Sequence, residues 1–425
     1  MGDTVIEELK AKAMSARRAS RNLARLPTDV KNKALHNIAR YIQREEQTIL
    51  ASNAEDIEAG KAAGLSESML DRLMLDSSRL ASIAEDVKAV AGLPDPIGES
   101  FDVSTLPNGL QIGRRRVPLG VIGAIYESRP NVTIDISVLC LKSGNSVILR
   151  GGSESINSNR VLAKVIRDAI DEVGLDMDSI QLIESTDRAL VTQMLSMKDD
   201  IDLMIPRGGA DFIRFVGENA QMPVITGGVG VCHTYVDKHA DINSAVNIAY
   251  NAKVQRPTVC NALDTLLVHS DIAMEYLPAI ARAWETAGVE MHCDLRSMSI
   301  IGGMEIPNVI KSTEEDWGKE FLSLTAAVKI VDSLDEAIDH IDRYGSGHSE
   351  AIVSEDYTNA MRFLDEIDAA AVYVNASTRF TDGAQFGLGA EVAISTNKMH
   401  ARGPMGLREL TSYKWTILGK GHIRG

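Results

Sequence analysis

The chain has 425 residues, of which 44% are hydrophobic, 24% are charged and 4% are aromatic, a composition typical of a globular protein with a mainly aliphatic core. Its formal net charge of −15 disfavours nucleic acids and anionic membranes as partners. Apolar runs fall short of the ~18 residues that a spanning helix needs, and residues 1–10 lack the basic-then-apolar pattern of a signal peptide. We therefore expect a cytoplasmic protein.

Residues 1–92 show helical periodicity, with apolar residues such as Val30 and Ala34 recurring at intervals of three to four. The segment Phe101–Arg116 then carries Asn108-Gly109 between two β-compatible runs. This dipeptide predicts a hairpin turn, because both residues tolerate positive φ. The hairpin can pair with another subunit or belong to the chain's own sheet.

From Val117 onward, short apolar strands alternate with amphipathic helices, which predicts parallel sheets covered by helices. The first set has strands Val121–Tyr126, Ser146–Leu149, Ile180–Ile183, Asp202–Ile205 and Pro223–Thr226, and helices Val132–Lys142, Ser155–Val173, Arg188–Met197 and Ala210–Ala220. The second has strands Cys232–Val236, Leu263–His269, one near Met298–Ile301, Ala327–Val331 and Glu350–Val353, and helices Asn243–Lys253, Ile272–Ala287, Leu334–Tyr344 and Tyr357–Ile367.

Two α/β modules in series fit a cofactor-binding domain and a catalytic domain. We assign residues 1–100 and 117–225 to the cofactor-binding domain and residues 226–370 to the catalytic domain. The hairpin at 101–116 and the tail at 371–425 are expected to form a small β element for oligomerisation.

Four cysteines are scattered along the chain without CxxC spacing, which predicts unbridged thiols and no metal site. They are Cys140, Cys232, Cys260 and Cys293. Cys260 stands just before the predicted strand Leu263–His269, where a loop-to-strand junction can present a thiol to a cleft. A nearby positive charge such as Arg256 would favour the nucleophilic thiolate. The alternative is a small buried hydrophobic residue.

Asn131 follows Arg129-Pro130 in a turn that leads into the predicted helix Val132–Lys142. Because proline keeps the residue before it out of helical geometry, we expect an irregular entry to this helix. The Asn131 amide can cap the helix or donate to a developing oxyanion.

Three loops of small residues follow predicted strands, the position at which parallel sheets bind ligands. Arg150-Gly151-Gly152-Ser153-Glu154 also opens a helix, which suits contacts with phosphate. Arg207-Gly208-Gly209 and Gly227-Gly228 follow later strands. None has the GxGxxG spacing, but three such loops on one sheet predict a nucleotide-binding site.

Together these features resemble the aldehyde dehydrogenase superfamily, in which an oxyanion Asn, a cofactor loop, a Gly-Gly turn and a Cys before a strand occur in this order. The resemblance implies an α/β fold with two parallel-sheet domains and a small β oligomerisation element. Thr226 stands where the hydrolytic members carry the Glu that activates water, and Arg150 stands where they carry Lys. The missing base suits a branch in which phosphate is the acyl partner.

A closer resemblance is to the γ-glutamyl phosphate reductase family. The family signature is matched without departure from Val331 through Ala337–Ile341 to Tyr344–Ile352. Further similar segments are Tyr126–Thr133, Leu149–Gly152, Asn375–Gly383 and His400–Gly406. The resemblance extends over nearly the whole chain.

This resemblance implies an NADPH-dependent homodimer or homotetramer that reduces γ-glutamyl phosphate to glutamate 5-semialdehyde, the second step of proline biosynthesis from glutamate. In the implied reaction the Cys260 thiolate attacks the acyl carbon, the Asn131 amide and the Cys260 N–H hold the oxyanion, phosphate leaves, and the thioester is reduced with hydride from NADPH. Glu320 matches the superfamily's Glu that holds the nicotinamide ribose, although the Gly-Pro that usually follows is missing. Because acyl phosphates are labile, we also expect a transient contact with glutamate 5-kinase.

Arginines suit the carboxylate and phosphate of this substrate through bidentate geometry. Arg379 and Arg402, in Gly-rich loops of the tail, are the first candidates, followed by Arg129 and Arg256, with ordinary salt bridges as the alternative for each. His348 can orient the substrate or donate a proton, or be held by backbone groups.

Two other functions stay open: a hydrolytic aldehyde dehydrogenase and a non-catalytic, nucleotide-binding oligomer. Thr226 argues against the first, because hydrolysis of the thioester needs a base. Cys260 and Asn131 argue against the second.

Overall fold

The computed structural model describes residues 2–227 and 229–424, and the chain forms two compact units. The first unit contains the chain up to Thr226, Gly387–Ala393 and the residues from Met405 onward. The second unit contains Gly227–Phe386 and Ile394–Pro404.

Helices open the first unit, as the periodicity of residues 1–92 predicts. Their ends carry local signals: Asp76 accepts a hydrogen bond from the Arg79 N–H at the start of the fifth helix, which satisfies an otherwise unpaired donor. The five helices are α1 Gly2–Leu23, α2 Thr28–Arg44, α3 Glu46–Ala62, α4 Glu67–Leu73 and α5 Ser77–Gly92.

The predicted hairpin follows and is confirmed. Strand β1, Ser100–Thr105, pairs antiparallel with strand β2, Gln111–Pro118. Gly109 adopts a φ of 88° in the connecting turn, a conformation that glycine adopts without a steric penalty.

A parallel sheet of four strands forms the centre of the first unit, with the order β5-β4-β3-β6. Its strands are β3 Val121–Tyr126, β4 Ser146–Gly151, β5 Ile180–Leu182 and β6 Leu203–Arg207. The helices between and after them are α6 Asn131–Lys142, α7 Ile156–Asp171, α8 Ala189–Ser196 and α9 Ala210–Asn219.

The predicted strand Pro223–Thr226 is wrong. Only Val224 pairs with β6, in an isolated bridge with Met204. Pro223 offers no backbone N–H and glycine follows Thr226, so the ladder cannot extend in either direction.

The second unit contains a seven-stranded sheet with the order β10-β9-β11-β8-β7-β12-β13, in which every recorded pairing is parallel. The strands are β7 Cys232–Val236, β8 Leu263–His269, β9 Glu290–Cys293, β10 Val309–Lys311, β11 Thr325–Val331, β12 Ser349–Val353 and β13 Ala371–Val374. The helices are α10 Ile242–Val254, α11 Ser270–Thr286, α12 Leu295–Ile301, α13 Leu334–Tyr344 and α14 Tyr357–Glu366.

The predicted strand near Met298–Ile301 is wrong, because these residues end α12. Asp294 accepts a hydrogen bond from the Ser297 N–H and caps this helix, which favours helix over strand directly after β9. The sequence pattern also missed strand β9 and the short edge strand β10.

The tail divides between the units, which corrects the predicted grouping of residues 371–425. Strand β13 is an edge of the seven-stranded sheet, and β14 (Ile394–Ser395) pairs with β15 (Gly403–Pro404) within the second unit. Only β16, Thr411–Leu418, joins the hairpin, by antiparallel pairing with β2. The three-stranded sheet β1-β2-β16 therefore forms within one chain.

Each unit has its own aliphatic core. In the second unit, α10 and α11 cover β8, and the fully buried Trp284 and Tyr276 lie in this cluster. In the first unit, α1, α8 and the strands β3 and β6 share a cluster that includes Leu9 and Met204. Across the described residues, every helix is too short or too polar to cross a bilayer.

Candidate active site

Cys260 lies in the turn between α10 and β8, and its side chain is partly exposed. Its carbonyl oxygen accepts a hydrogen bond from the Cys232 thiol at 3.2 Å. A Cβ atom at Gly230 would lie 1.6 Å from the same oxygen. The chain entering β7 therefore packs directly on the Cys260 backbone and fixes it, while the thiol stays accessible.

The other three cysteines are buried. Burial raises the pKa of the Cys293 thiol to about 11 and raises the pKa values of Cys140 and Cys232 above that of an ordinary thiol. All four cysteines lie among the described residues, and none forms a disulfide, as predicted. Because the thiolate is the nucleophile, Cys260 is the cysteine whose surroundings suit covalent chemistry.

Two arginines accompany Cys260. Arg379, after β13, donates from Nε to Gln255 Oε1 at 2.8 Å and from Nη1 to the side-chain oxygen of Asn261. Burial lowers the pKa of Arg379, repulsion from Arg256 lowers it further, and attraction to Cys260 acts in the opposite direction. Cys260, Arg256 and Arg379 thus form one group, here called the thiol–arginine cluster.

Asn261, which the sequence analysis did not single out, ties this cluster together. Its Nδ2 donates to the carbonyl oxygen of Thr381 at 2.9 Å, and Thr378 Oγ1 donates to its carbonyl oxygen at 2.7 Å. The residue after Cys260 therefore anchors the loop that carries Arg379. Its position next to Cys260 was the only signal available in the sequence.

Arg402 and His348 are held by other parts of the second unit. Arg402 Nη1 forms an ion pair with Asp368 at 2.7 Å. His348 is fully buried, with Nδ1 2.8 Å from Ser349 Oγ and 3.9 Å from Cys232 Sγ. Burial lowers the pKa of His348 to about 4, so the ring is neutral at neutral pH.

Glu320 points at the turn that precedes β7. Its Oε1 accepts a hydrogen bond from the Gly230 N–H at 2.9 Å. Gly227 begins the same turn, and a Cβ there would lie 1.9 Å from the carbonyl oxygen of Ile394, so only glycine fits. Gly228, also predicted to bind the cofactor, lies outside the described residues.

In the first unit, Asn131 is the first residue of α6, and Pro130 occupies the capping position. Asn131 is therefore not the N-cap. Its Nδ2 donates to Asp135 Oδ2 at 2.8 Å, which uses one of the two amide hydrogens and orients the group. Burial raises the pKa of Asp135 to about 7. Arg129 lies before this helix and is partly buried.

A cavity of about 930 Å³ lies in the first unit at the carboxyl end of β4. Its lining includes Arg150, Gly152, Ser153 and Glu154, which were predicted to bind the cofactor. Residues of α3, α8 and α9 complete it, and these could not be identified from sequence because they come from distant segments.

The loop after β4 is fixed by close contacts. Arg150 is buried and donates to the Thr186 carbonyl oxygen at 3.1 Å, while its Nε has no hydrogen-bond partner among the described residues. Glu154 Oε1 accepts from the backbone N–H of Ser128 at 2.6 Å. A Cβ at Gly152 would lie 2.1 Å from that oxygen, and one at Gly151 would lie 2.0 Å from a buried amide.

The predicted loop Arg207-Gly208-Gly209 does not line the cavity itself. The Gly209 N–H donates to Glu127 Oε2 at 3.2 Å, and the Glu127 N–H donates to the Arg207 carbonyl oxygen at 2.9 Å. Glu127 does line the cavity. The loop therefore acts on the cavity by holding Glu127.

These features fit a nicotinamide cofactor. The cavity is large enough for a nucleotide, and its glycine loop allows close approach of a ligand to the backbone. It also carries a buried guanidinium nitrogen that has no hydrogen-bond partner within residues 2–227 and 229–424. Arg150 and the loop up to Glu154 would hold the cofactor there.

The sequence profile of the aldehyde dehydrogenase family matches residues 4–315 and 317–416. The chain belongs to the aldehyde dehydrogenase family, and the predicted fold class is confirmed.

Individual relatives indicate which branch of the aldehyde dehydrogenase family this chain is similar to. The chain is similar to a protein of Dehalococcoides mccartyi (strain CBDB1) named γ-glutamyl phosphate reductase, with 60% identity covering 98% of this chain and 99% of the relative. It is 53% identical to the γ-glutamyl phosphate reductase of Roseiflexus castenholzii, over 99% of this chain and 100% of the relative. The crystal structure of the Thermotoga maritima γ-glutamyl phosphate reductase superposes with a TM-score of 0.95 at 48% identity, covering 98% of this chain and 100% of that chain.

Proposed function

We propose that this chain reduces L-glutamate 5-phosphate (γ-glutamyl phosphate) to L-glutamate 5-semialdehyde and phosphate with NADPH, as the second step of proline biosynthesis from glutamate. The observation that carries the proposal is the thiol–arginine cluster, a partly exposed thiol beside two cations in a chain that resembles reductases of this name. A cytoplasmic location and a transient contact with glutamate 5-kinase belong to the same proposal.

Cys260 is the proposed nucleophile. Its thiolate attacks the acyl carbon, the bond to phosphate breaks, and a thioester with Cys260 remains. Arg256 and Arg379 favour the thiolate by their charge and offer planar donors to the phosphate that leaves. Arg402 and Arg129 are the further candidates for the substrate carboxylate.

Asn131 is the proposed oxyanion donor, together with the backbone N–H of Cys260. A donor that is already oriented stabilises developing charge without reorganisation. The hydrogen bond to Asp135 supplies this orientation for the amide of Asn131.

The cofactor supplies the hydride that reduces the thioester. We propose that the loop after β4 binds it through Arg150, Gly151, Gly152, Ser153 and Glu154. Gly227 and Gly228 are proposed to let the cofactor approach the backbone closely. The turn Arg207-Gly208-Gly209 supports the same site, and Glu320 is proposed to hold the nicotinamide ribose. The buried guanidinium of Arg150 supports a phosphate-bearing dinucleotide, and the choice of NADPH rests on the resemblance to the reductase family.

Thr226 supports the reductase over the hydrolytic alternative. A threonine hydroxyl is not a general base at neutral pH, so it cannot activate water as a carboxylate does. The thioester is then protected from hydrolysis and remains available for reduction.

A homodimer or homotetramer is proposed through the sheet β1-β2-β16. Strand β16 exposes Tyr413, Trp415 and Ile417, and β1 exposes Val103. Exposed apolar side chains on one small sheet favour a protein partner, and a second copy of this chain supplies the same surface.

The reaction run backwards provides the test. Glutamate 5-semialdehyde and NADP are mixed with the full-length protein with and without inorganic phosphate, and formation of NADPH is followed. We expect turnover that depends on phosphate and is lost in Cys260→Ala. The matched control is Cys293→Ala, which removes a buried thiol of the same unit and should leave turnover intact. Equal turnover without phosphate would favour the hydrolytic enzyme, and no turnover in the wild type would contradict the proposal.

A further inference from the structure

Two charged side chains of the second unit are buried without a role in the proposed reaction. Lys253, at the end of α10, is fully buried, and Asp264, in β8, is 2% exposed. Lys253 Nζ lies 3.5 Å from Asp264 Oδ1. Burial raises the pKa of Asp264 to about 6 and lowers the pKa of Lys253. Apolar pairs of similar size often stabilise a fold as well as a buried ion pair does, so stability alone is a weak reason for this pair.

Both charges also bind the backbone of one irregular segment between α12 and β11. Lys253 Nζ donates to the carbonyl oxygen of Ser323 at 3.1 Å, and Asp264 Oδ1 accepts from the Phe321 N–H at 3.1 Å. Residues 319–322 have no regular secondary structure. The ion pair thus supplies hydrogen bonds that a helix or sheet would supply elsewhere.

The segment adopts a conformation that needs such support. Leu322 has a φ of 52°, a left-handed conformation that a branched side chain rarely adopts. Strained residues of this kind persist where surrounding contacts fix them and often lie at functional sites. The Lys253 and Asp264 contacts lie on either side of Leu322.

The same segment carries Glu320, directly before Phe321. Its carboxylate accepts the hydrogen bond from the Gly230 N–H, and Gly230 packs on the carbonyl oxygen of Cys260. Contacts therefore run without a break from Lys253 and Asp264, through Phe321 and Glu320, to the turn that supports the nucleophile.

We propose that the buried Lys253–Asp264 pair is a positioning element that fixes Glu320 for binding of the nicotinamide cofactor. The inference rests on the proposed function, because it takes Glu320 as a ligand of that cofactor. The pair does not contact the cofactor; it acts through the backbone of residues 321 and 323.

The test compares a double variant with a matched control in the full-length protein. Lys253→Met/Asp264→Leu replaces the pair with apolar side chains of similar size and removes both hydrogen bonds to the segment. The control, Lys31→Met/Asp95→Leu, replaces a second buried ion pair, which lies in the first unit. Binding of NADPH is measured by its fluorescence, and the thermal unfolding midpoint is measured for each protein.

We expect the Lys253/Asp264 variant to weaken NADPH binding by about tenfold, the loss of one well-placed hydrogen bond to a charged group. The KM for glutamate 5-semialdehyde should change by less than about twofold on the same energy scale. The control should bind NADPH like the wild type. If the pair has a merely structural role, the unfolding midpoint should shift in both variants while the dissociation constant of NADPH stays unchanged. That result would overturn the proposal.

Glu320→Gln supplies the second criterion. It should weaken NADPH binding by a similar factor, and combining it with Lys253→Met/Asp264→Leu should add little, because both changes disable the same contact. Fully multiplicative effects would show that the pair does not act through Glu320. Should the double variant not fold, Lys253→Met/Asp264→Asn, which leaves no unpaired buried charge and keeps a side-chain acceptor for the Phe321 N–H, is judged by the same two criteria.

Failure of the proposed function would look different. If the wild type binds NADPH but shows no phosphate-dependent turnover, the substrate assignment is wrong while the binding comparison still decides the positioning role. If the wild type does not bind NADPH, both are overturned.

Discussion

In the first unit, the candidate ligand groups surround an open cavity and come from glycine loops at the ends of strands. The second unit combines the partly exposed Cys260 with polar side chains that are buried in pairs. These include His233 paired with Glu350 at 2.9 Å, and Lys253 paired with Asp264 at 3.5 Å. Burial raises the pKa of Glu350, as it does that of Asp264.

The two units therefore position their candidate site residues in different ways. Backbone conformation at strand ends, together with the buried cation of Arg150, suits binding of a nucleotide, because glycine allows close approach and backbone N–H groups can donate to phosphate. Covalent chemistry needs a thiol, cations and donors at fixed positions, and buried polar contacts supply this rigidity at a cost in desolvation. Changes in the second unit should therefore mostly affect chemistry, apart from the proposed effect of Glu320 and the Lys253–Asp264 pair on cofactor binding. Changes in the first unit should mostly affect binding, with Asn131 as the exception.

The largest expected effect tests that exception. Asn131→Ala should lower kcat for phosphate-dependent turnover by about 10²–10³-fold, the range for loss of one oxyanion donor, with NADPH affinity unchanged. The control is Asn243→Ala, an exposed asparagine in the first turn of α10, which should keep full turnover. If Asn131→Ala instead raised KM and left kcat unchanged, Asn131 would not be an exception, and the first unit as a whole would have a binding role.

Next in size is Arg379→Met. Loss of a hydrogen bond to a charged group should raise the KM for inorganic phosphate in the reverse reaction by about 10–100-fold. Arg379→Lys should restore only part of this, because Lys lacks the planar fork. Arg296→Met is the control, since Arg296 is paired with Asp332 on the exterior. An unchanged KM for phosphate would remove Arg379 from the anion site.

Two glycines sharpen the comparison between the units. Gly230→Ala places a Cβ against the Cys260 backbone at 1.6 Å, whereas Gly151→Ala places one against the side chain of Asn159 at 2.0 Å. Backbone yields less than a side chain, so Gly230→Ala should lower the free energy of unfolding by about 1–3 kcal/mol and Gly151→Ala by less. Chemical denaturation measures both. The control is Gly303→Ala, because the space around its Cβ position is open. A larger loss of unfolding free energy for Gly151→Ala than for Gly230→Ala would contradict this ranking.

The smallest effect concerns two carboxylates with opposite pKa shifts. Burial raises the pKa of Asp135 in the first unit to about 7. In the second unit, burial would raise the pKa of Asp237, but hydrogen bonds from Ser354, Asn359 and Tyr235 outweigh it and hold the pKa below the usual value. The two groups should therefore give the free energy of unfolding opposite dependences on pH.

A raised pKa gives stability at low pH that is lost as pH rises from about 4 through about 7. As pH rises from 4 to 8, the free energy of unfolding of Asp135→Asn should therefore increase relative to that of the wild type by on the order of 1–2 kcal/mol. The difference is limited to this size because partial exposure of Asp135 weakens the effect of its pKa shift. Asp237→Asn should instead lose relative to the wild type as pH rises toward the ordinary aspartate pKa of about 4, since a lowered pKa gives stability that is fully present above that value and lost below it. Parallel pH profiles for the two variants, measured by denaturation, would contradict this assignment.

Local patterns in the sequence determined most of the architecture. The periodicity of residues 1–92, the Asn108-Gly109 turn and the strand–helix alternation after Val117 each follow from the chain's own side chains, because period and turn chemistry are local properties. Cys260 and the loop Arg150–Glu154 were predicted as site residues from their positions beside strands and from the family resemblance, and their roles are part of the proposed function.

Only the tertiary structure decided which side chains meet. Asp135 and Lys253 gave no signal, and Asn261 gave none beyond its position next to Cys260, since each acts through a contact that folding creates. The tail was divided between two units because strand pairing depends on partners far along the chain, as β16 with β2 shows. Helix α12 replaced a predicted strand because one cap at Asp294 outweighed a short apolar run. Pairing, burial and the resulting pKa shifts are properties of the folded chain, and no local pattern contains them.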